Sequence, residues 1–110
     1  NTFIFPDAAG TYYVDWSCPA FSVENHQSRL YNITAAATVK AGTSSQTKLS
    51  TAWSSSTSVG SALVSLSAAA TFKIEHRCSS TFATEGLGRK CNSDGTVPEI
   101  YTIVKIMQIA

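Results

Sequence analysis

The strongest indication of the fold comes from residues 62–77, which read ALVSLSAAATFKIEHR. Apolar and polar side chains alternate along this stretch, and a period of two is typical of a strand that buries one face. At about 3.3 Å per residue, one straight strand of this length would reach about 50 Å, which exceeds the size of a small domain. We therefore expect a break or bulge between Ser67 and Ala70. The competing prediction is a helix over Ser61–Ala70, because alanine is a good helix former.

Further strands are predicted on both sides of this stretch. A second alternating pattern over residues 31–40 places Tyr31, Ile33, Ala35, Ala37 and Val39 on one face. The other predicted strands are Thr2–Phe5, Thr11–Trp16, Thr47–Trp53 and Ile100–Ile109. The last of these is apolar on both faces, so we expect it to be central in a sheet or buried at an interface.

Turn residues separate the predicted strands. Gly10, Gly42 and Gly60 lie between them, and the hydroxyl-rich residues 54–58 are interpreted as a loop. This spacing favours an antiparallel arrangement of about six or more strands. The predicted fold is all-β, a small antiparallel β-sandwich or β-barrel that residues 1–110 form as a single domain.

The composition excludes several classes of function. Only 14% of the 110 residues are charged and the formal net charge is +1, which is too small for the electrostatic binding of a nucleic acid. The hydrophobic fraction of 44% is too high for a disordered chain. No apolar run approaches the roughly 20 residues that a membrane-spanning helix needs. We therefore expect a globular protein with neither a nucleic-acid partner nor a membrane span.

The cysteines and one sequon indicate secretion. The three cysteines form no C-x-x-C pair and only two histidines accompany them, so we expect no zinc site, no other metal and no cofactor. Asn32-Ile33-Thr34 is an acceptor for N-glycosylation, which occurs on secreted proteins. The first residues are too short and too uncharged for a signal peptide, so the expected form is mature and extracellular.

One disulfide is predicted near the end of the chain. Cys78 continues the inward face of the long alternating stretch, and Cys91 follows it after a loop of 12 residues. A Cys78–Cys91 bridge would add about 3 kcal/mol of stability by the chain-entropy estimate. Two other pairings, which use Cys18, stay open. If Cys78 pairs with Cys91, Cys18 is either a free thiol or a bridge to a second copy in a homodimer.

Catalysis has little support in the sequence. Glu75-His76-Arg77 combines residue types that could cleave RNA, but on a strand Glu75 and Arg77 share one face and His76 points to the other. His26 would complete a two-histidine site, although nothing in the sequence places it nearby. No G-x-S-x-G motif occurs. Because the chain has sixteen serines, choosing one of them for a catalytic triad from the sequence would be arbitrary. A ribonuclease-like hydrolase is kept as an alternative function.

Four residues are the predicted binding residues. Tyr13 and Trp16 belong to an aromatic cluster, and exposed aromatic rings bind sugars, flat aromatic molecules and protein surfaces. Arg89 and Lys90 follow a glycine-containing loop and could contact an acidic partner. The second alternative function is therefore a carbohydrate-binding or cell-wall module.

The chain, mainly at its carboxyl end, resembles the Alternaria major allergen family of secreted fungal β-barrel proteins. The matching features are a strand that runs into Cys78, the loop to Cys91, the terminal Tyr101-Thr102-Ile103-Val104 and the amino-terminal Ser17-Cys18-Pro19. The resemblance implies a dimer linked through Cys18. It also implies an extracellular fungal protein that binds plant defence proteins or flavonoid-like small molecules. We therefore expect an effector or elicitor that acts on a host or cell-surface protein by binding.

Overall fold

The chain folds as two antiparallel sheets packed face to face. The computed structural model describes residues 2–48, 54–89 and 98–110. Its strands are β1 (Phe3–Ile4), β2 (Gly10–Phe21), β3 (Asn25–Asn32), β4 (Ala37–Gln46), β5 (Ser55–Leu66), β6 (Thr71–Cys78) and β7 (Ile103–Gln108). One sheet has the order β1-β6-β3-β4 and the other has the order β5-β2-β7. The prediction of an all-β fold is confirmed, and the structure has the sandwich form.

Strand β2 runs through the centre of the three-stranded sheet, and its side chains alternate between the core and the outer face. Tyr12, Val14 and Trp16 are buried. The ring of Phe5 stacks on Tyr12 at 4.4 Å and meets Phe72 of the opposite sheet at 4.9 Å. Burial of each large side chain contributes about 1.5–3 kcal/mol, so this aromatic group fixes how the sheets face each other.

The long alternating stretch is divided between the two sheets, as its length required. Strand β5 ends at Leu66 and β6 begins at Thr71, with a bend over residues 67–70. The break is confirmed, and the competing helix over Ser61–Ala70 is wrong. The loop interpretation of residues 54–58 is also wrong, because β5 begins at Ser55. Ser58 is buried there, and its hydroxyl donates to the carbonyl of Thr43 at 2.6 Å.

The predicted strand over residues 31–40 is wrong, because a turn at residues 33–36 divides it into the end of β3 and the start of β4. Asn32 accounts for the turn, since its side-chain Oδ1 accepts a hydrogen bond from the Ala35 amide at 3.0 Å. Ala36 adopts φ of 53°, which ends any extended run. The alternation of Ile33 and its neighbours therefore reflects a tight turn and not a buried face.

Gly42 and Gly60 lie inside strands β4 and β5, and Gly10 is the first residue of β2, so the prediction that all three are turn residues is wrong. Their absent side chains make room for neighbours. A β-carbon at Gly60 would overlap the ring of Trp16, and one at Gly42 would overlap the hydroxyl of Ser28. These two glycines let the strands approach the core closely.

Of the other predicted strands, Thr2–Phe5 and Thr11–Trp16 correspond to β1 and β2. Residues 47 and 48 follow β4 without strand structure, and the rest of Thr47–Trp53 lies outside the described residues. Ile100–Ile109 contains β7, but β7 is an edge strand whose six residues are all exposed. The prediction of a central position is wrong, since β2 takes that place.

Candidate functional site

The outer face of the four-stranded sheet carries a polar groove of about 1390 Å³ across β6, β3 and β4. The strand registers set the outward side chains in rows, in which a residue of β3 lies between one of β6 and one of β4. Two of these rows, Arg77–Gln27–Ser44 and Glu75–Arg29–Ala41, line the groove, and the row Lys73–Tyr31–Thr38 lies at its end, where Thr38 lines it. Ala41 and Ser44 are small, which leaves the groove open beside the longer side chains of β3 and β6.

Arg29 occupies the middle of this groove. Its Nε donates to Glu75 Oε1 at 2.7 Å and its Nη1 donates to Thr38 Oγ1 at 2.7 Å. Its guanidinium lies over the ring of Tyr31 at 4.5 Å, and the ammonium of Lys73 lies 5.5 Å from the same ring. The three strands are therefore tied together at the surface by one cation that is held in a fixed position.

The groove has more positive than negative charge. Glu75 accepts from both Lys73 and Arg29, and these hydrogen bonds hold the pKa of its carboxyl below the usual range. Arg77 is exposed and, within the described part of the chain, forms no ion pair. Arg29 and Arg77 in the groove, with Lys73 at its end, thus accompany a single carboxylate, Glu75, which Arg29 and Lys73 already share. Such an arrangement favours a negatively charged ligand.

A second polar cluster lies between the two sheets. His26 Nδ1 is 2.8 Å from His76 Nε2, and His26 Nε2 is 2.7 Å from Ser56 Oγ. His26 and His76 come from the neighbouring strands β3 and β6, whereas Ser56 comes from β5 of the opposite sheet. Burial lowers the pKa of both imidazoles, and the charge of His26 lowers that of His76 further.

The inward residues near this cluster are also polar. The indole of Trp16 donates to Ser28 Oγ at 2.9 Å, and Ser28 Oγ lies 2.7 Å from Ser58 Oγ. Cys18 lies beside them, and burial raises the pKa of its thiol, although hydrogen bonds with Thr102 and Ser28 lower it in part. One half of the interior is therefore apolar and the other half is a hydrogen-bonded network.

Of the four predicted binding residues, the three that the structure describes do not come together. Trp16 is only 1% exposed, so its ring is part of the core and unable to bind a ligand. Tyr13 is half-buried on the outer face of the three-stranded sheet, between Leu63 and Met107. Arg89 lies over the ring of Phe21 at 5.1 Å. Lys90 lies outside the described residues.

Cys18 and Cys78 form no disulfide with another described residue. Cys91 lies outside the described residues, so the Cys78–Cys91 disulfide stays a prediction. Cys18 is 1% exposed, and this burial favours the free thiol over a bridge between two copies. Asn32 is half-buried at the end of β3, where its side chain caps the following turn. Its glycosylation also stays a prediction.

The sequence did not indicate that His26 and His76 are neighbours, because they lie 50 residues apart. Glu75 and Arg77 do share the face opposite His76, as the strand geometry predicted. A ribonuclease would need its histidines and cations around one phosphate. Here the imidazoles bond to each other inside the sandwich, and the cations lie on the other side of the sheet.

No family model, curated protein or solved structure matches this chain. The resemblance to the Alternaria major allergen family therefore stays a prediction. Among the described residues, no three histidine, cysteine or carboxylate side chains lie close enough to hold a metal ion. The same part of the chain contains no helix that could cross a membrane.

Proposed function

We propose that this chain is a small secreted protein that acts by non-catalytic binding, as an effector or elicitor at a host or cell surface. Its groove on the four-stranded sheet receives an acidic surface of a partner protein. The observation that carries the proposal is the excess of positive charge along Arg77, Arg29 and Lys73, with Arg77 unpaired among the described residues. Complementary charge steers a partner toward the groove and fixes its orientation.

The contacts of Tyr31 favour an acidic protein over a neutral sugar. Sugar-binding sites commonly offer an open aromatic ring against which the sugar packs. At the end of this groove the ring of Tyr31 already carries the guanidinium of Arg29 and lies near the ammonium of Lys73. Trp16, the other predicted sugar-binding ring, is inside the core. The groove therefore presents charge, hydroxyls and amides to its partner.

The test compares two charge reversals on opposite sheets. Arg77→Glu reverses a cation in the groove, and Lys105→Glu makes the same charge change on exposed β7. Immobilised wild type and both variants are exposed to extracellular plant proteins, beginning with defence proteins, at low and at high salt. We expect Arg77→Glu to lose at least tenfold in retained partner, Lys105→Glu to match wild type, and high salt to weaken retention.

Three outcomes would contradict this proposal. Equal losses in Arg77→Glu and Lys105→Glu would show that net charge, and not the groove, determines retention. Binding on a glycan array without any retained acidic protein would favour the carbohydrate-binding or cell-wall module. Cleavage of RNA by wild type that disappears in His76→Gln would favour the ribonuclease-like hydrolase.

A further inference from the structure

Ser56, His26 and His76 form a continuous hydrogen-bonded chain, which the binding function does not use. The distances along it are 2.7 Å from Ser56 Oγ to His26 Nε2 and 2.8 Å from His26 Nδ1 to His76 Nε2. A nucleophile bonded to a base, with the base bonded to a third group that orients it, is the arrangement that activates a serine hydroxyl.

The tautomers needed for this activation are available at neutral pH. Both imidazoles are neutral there, because burial lowers the pKa of each. One proton must lie between the two rings, since two lone pairs cannot bond to each other. When His26 Nδ1 carries that proton, it donates to His76 Nε2. His26 Nε2 then has a free lone pair that accepts the proton of Ser56 Oγ.

The strands explain why these side chains converge. Ser56 lies opposite the buried Ala20 in the register of β5 and β2, so it faces the interior. It is nevertheless only half-buried, so part of Ser56 is accessible to solvent. His26 is 3% exposed, which holds the base in one orientation and away from water. A buried base beside an accessible hydroxyl is a geometry suited to reaction.

We propose that Ser56 is a nucleophile that accepts the acyl group of small activated esters, with His26 as its general base. His76 is a positioning residue that holds His26. Ser56 Oγ forms a bond to the carbonyl carbon while its proton passes to His26 Nε2. The carbon–oxygen bond to the leaving alcohol then breaks, and that alcohol takes the proton from His26. Water hydrolyses the acyl-serine by the same proton transfers, which releases the carboxylic acid and restores Ser56.

The first test identifies the reactive serine. The folded protein is treated with a fluorophosphonate, which reacts with activated serines, and the modified peptide is identified by mass spectrometry. Hydrolysis of p-nitrophenyl acetate is measured in parallel. We expect the label on Ser56, and a loss of about 100-fold in labelling and hydrolysis in Ser56→Ala and in His26→Gln. Ser55→Ala, which removes an exposed hydroxyl from the preceding residue of β5, should match wild type.

The role of His76 is tested by two replacements. Glutamine can accept the hydrogen bond from His26 Nδ1 through its carbonyl oxygen, whereas leucine cannot. His76→Gln should therefore retain more labelling than His76→Leu when near-ultraviolet circular dichroism shows both to be folded. Equal labelling of the two would overturn the positioning role.

Mapping the label on wild type does not depend on how any variant folds. Absence of label from folded wild type would overturn the proposal, as would label spread over the exposed serines. Wild-type labelling rates in folded His26→Gln would overturn the role of His26 as base.

Discussion

The hydrogen bond between His26 and His76 joins two imidazoles at a distance that disfavours a positive charge on both. Burial lowers the pKa of each ring below its ordinary value of 6.5 in the folded protein. The unfolded chain therefore binds more protons than the folded chain once the pH falls below about 6.5. Protonation of these two residues favours unfolding, and their neutral forms belong to the native state.

The pH dependence of stability follows from this difference. Stability should be constant well above pH 6.5, fall as the pH decreases through 6.5, and level off below the lower pKa values of the folded protein. Glu75 affects stability in a separate, more acidic pH range. Its pKa is lowered from 4.5, so its contribution to stability is lost only when the pH falls below that value. Urea unfolding at several pH values measures both ranges. In the double variant His26→Gln and His76→Gln, the fall in stability near pH 6 should disappear. If this fall persists, it does not come from protonation of the two histidines.

At the scale of elements, the sequence pattern predicted an all-β fold and the division between β5 and β6, because alternation and length are local properties. It failed at β3 and β4, where a short side chain decides the outcome: Asn32 caps a turn inside an alternating pattern. It also failed at Ser56, since the residues that make this serine part of a site lie on another sheet. The groove was missed for the same reason, as its rows exist only once β6, β3 and β4 pair.

The register of β6 can be tested with two neighbouring residues. Phe72 is fully buried against Phe5, so Phe72→Ala should destabilise the protein by about 3–5 kcal/mol. Lys73 points outward and pairs with Glu75 at the surface, so Lys73→Ala should cost less than about 1 kcal/mol. Denaturant unfolding of both variants gives the comparison. Similar losses at the two positions would show that the strand faces are assigned incorrectly.

For the whole molecule, the burial of Cys18 bears on the expected homodimer. Its thiol is enclosed by the sandwich and hydrogen-bonded to Ser28 and Thr102, so a bridge between two copies would require the interior to open. The exposed apolar residues of β7 offer a surface for association that does not involve this cysteine. Association of two copies and oxidation of Cys18 are therefore separate questions.

Non-reducing peptide mapping, combined with light scattering, answers both questions. We expect Cys78 and Cys91 as one linked species and Cys18 as a thiol that alkylates only after unfolding. Wild type and Cys18→Ser should then have the same mass in solution, with and without reductant. A dimer that dissociates on reduction and is absent in Cys18→Ser would show that the linkage through Cys18 exists after all.

The position of β2 also affects how the protein is made. Both partners of β2 lie later in the sequence, and the contact between Asp7 and Gln108 joins residues 101 positions apart. The β3–β4 hairpin can form as soon as it leaves the ribosome, whereas β2 must wait for β5 and then for β7. Until both strands have paired with β2, its inward-facing side chains are not covered by a completed sandwich. Assembly of the three-stranded sheet is therefore expected late in folding, and until then the exposed apolar side chains of β2 favour aggregation.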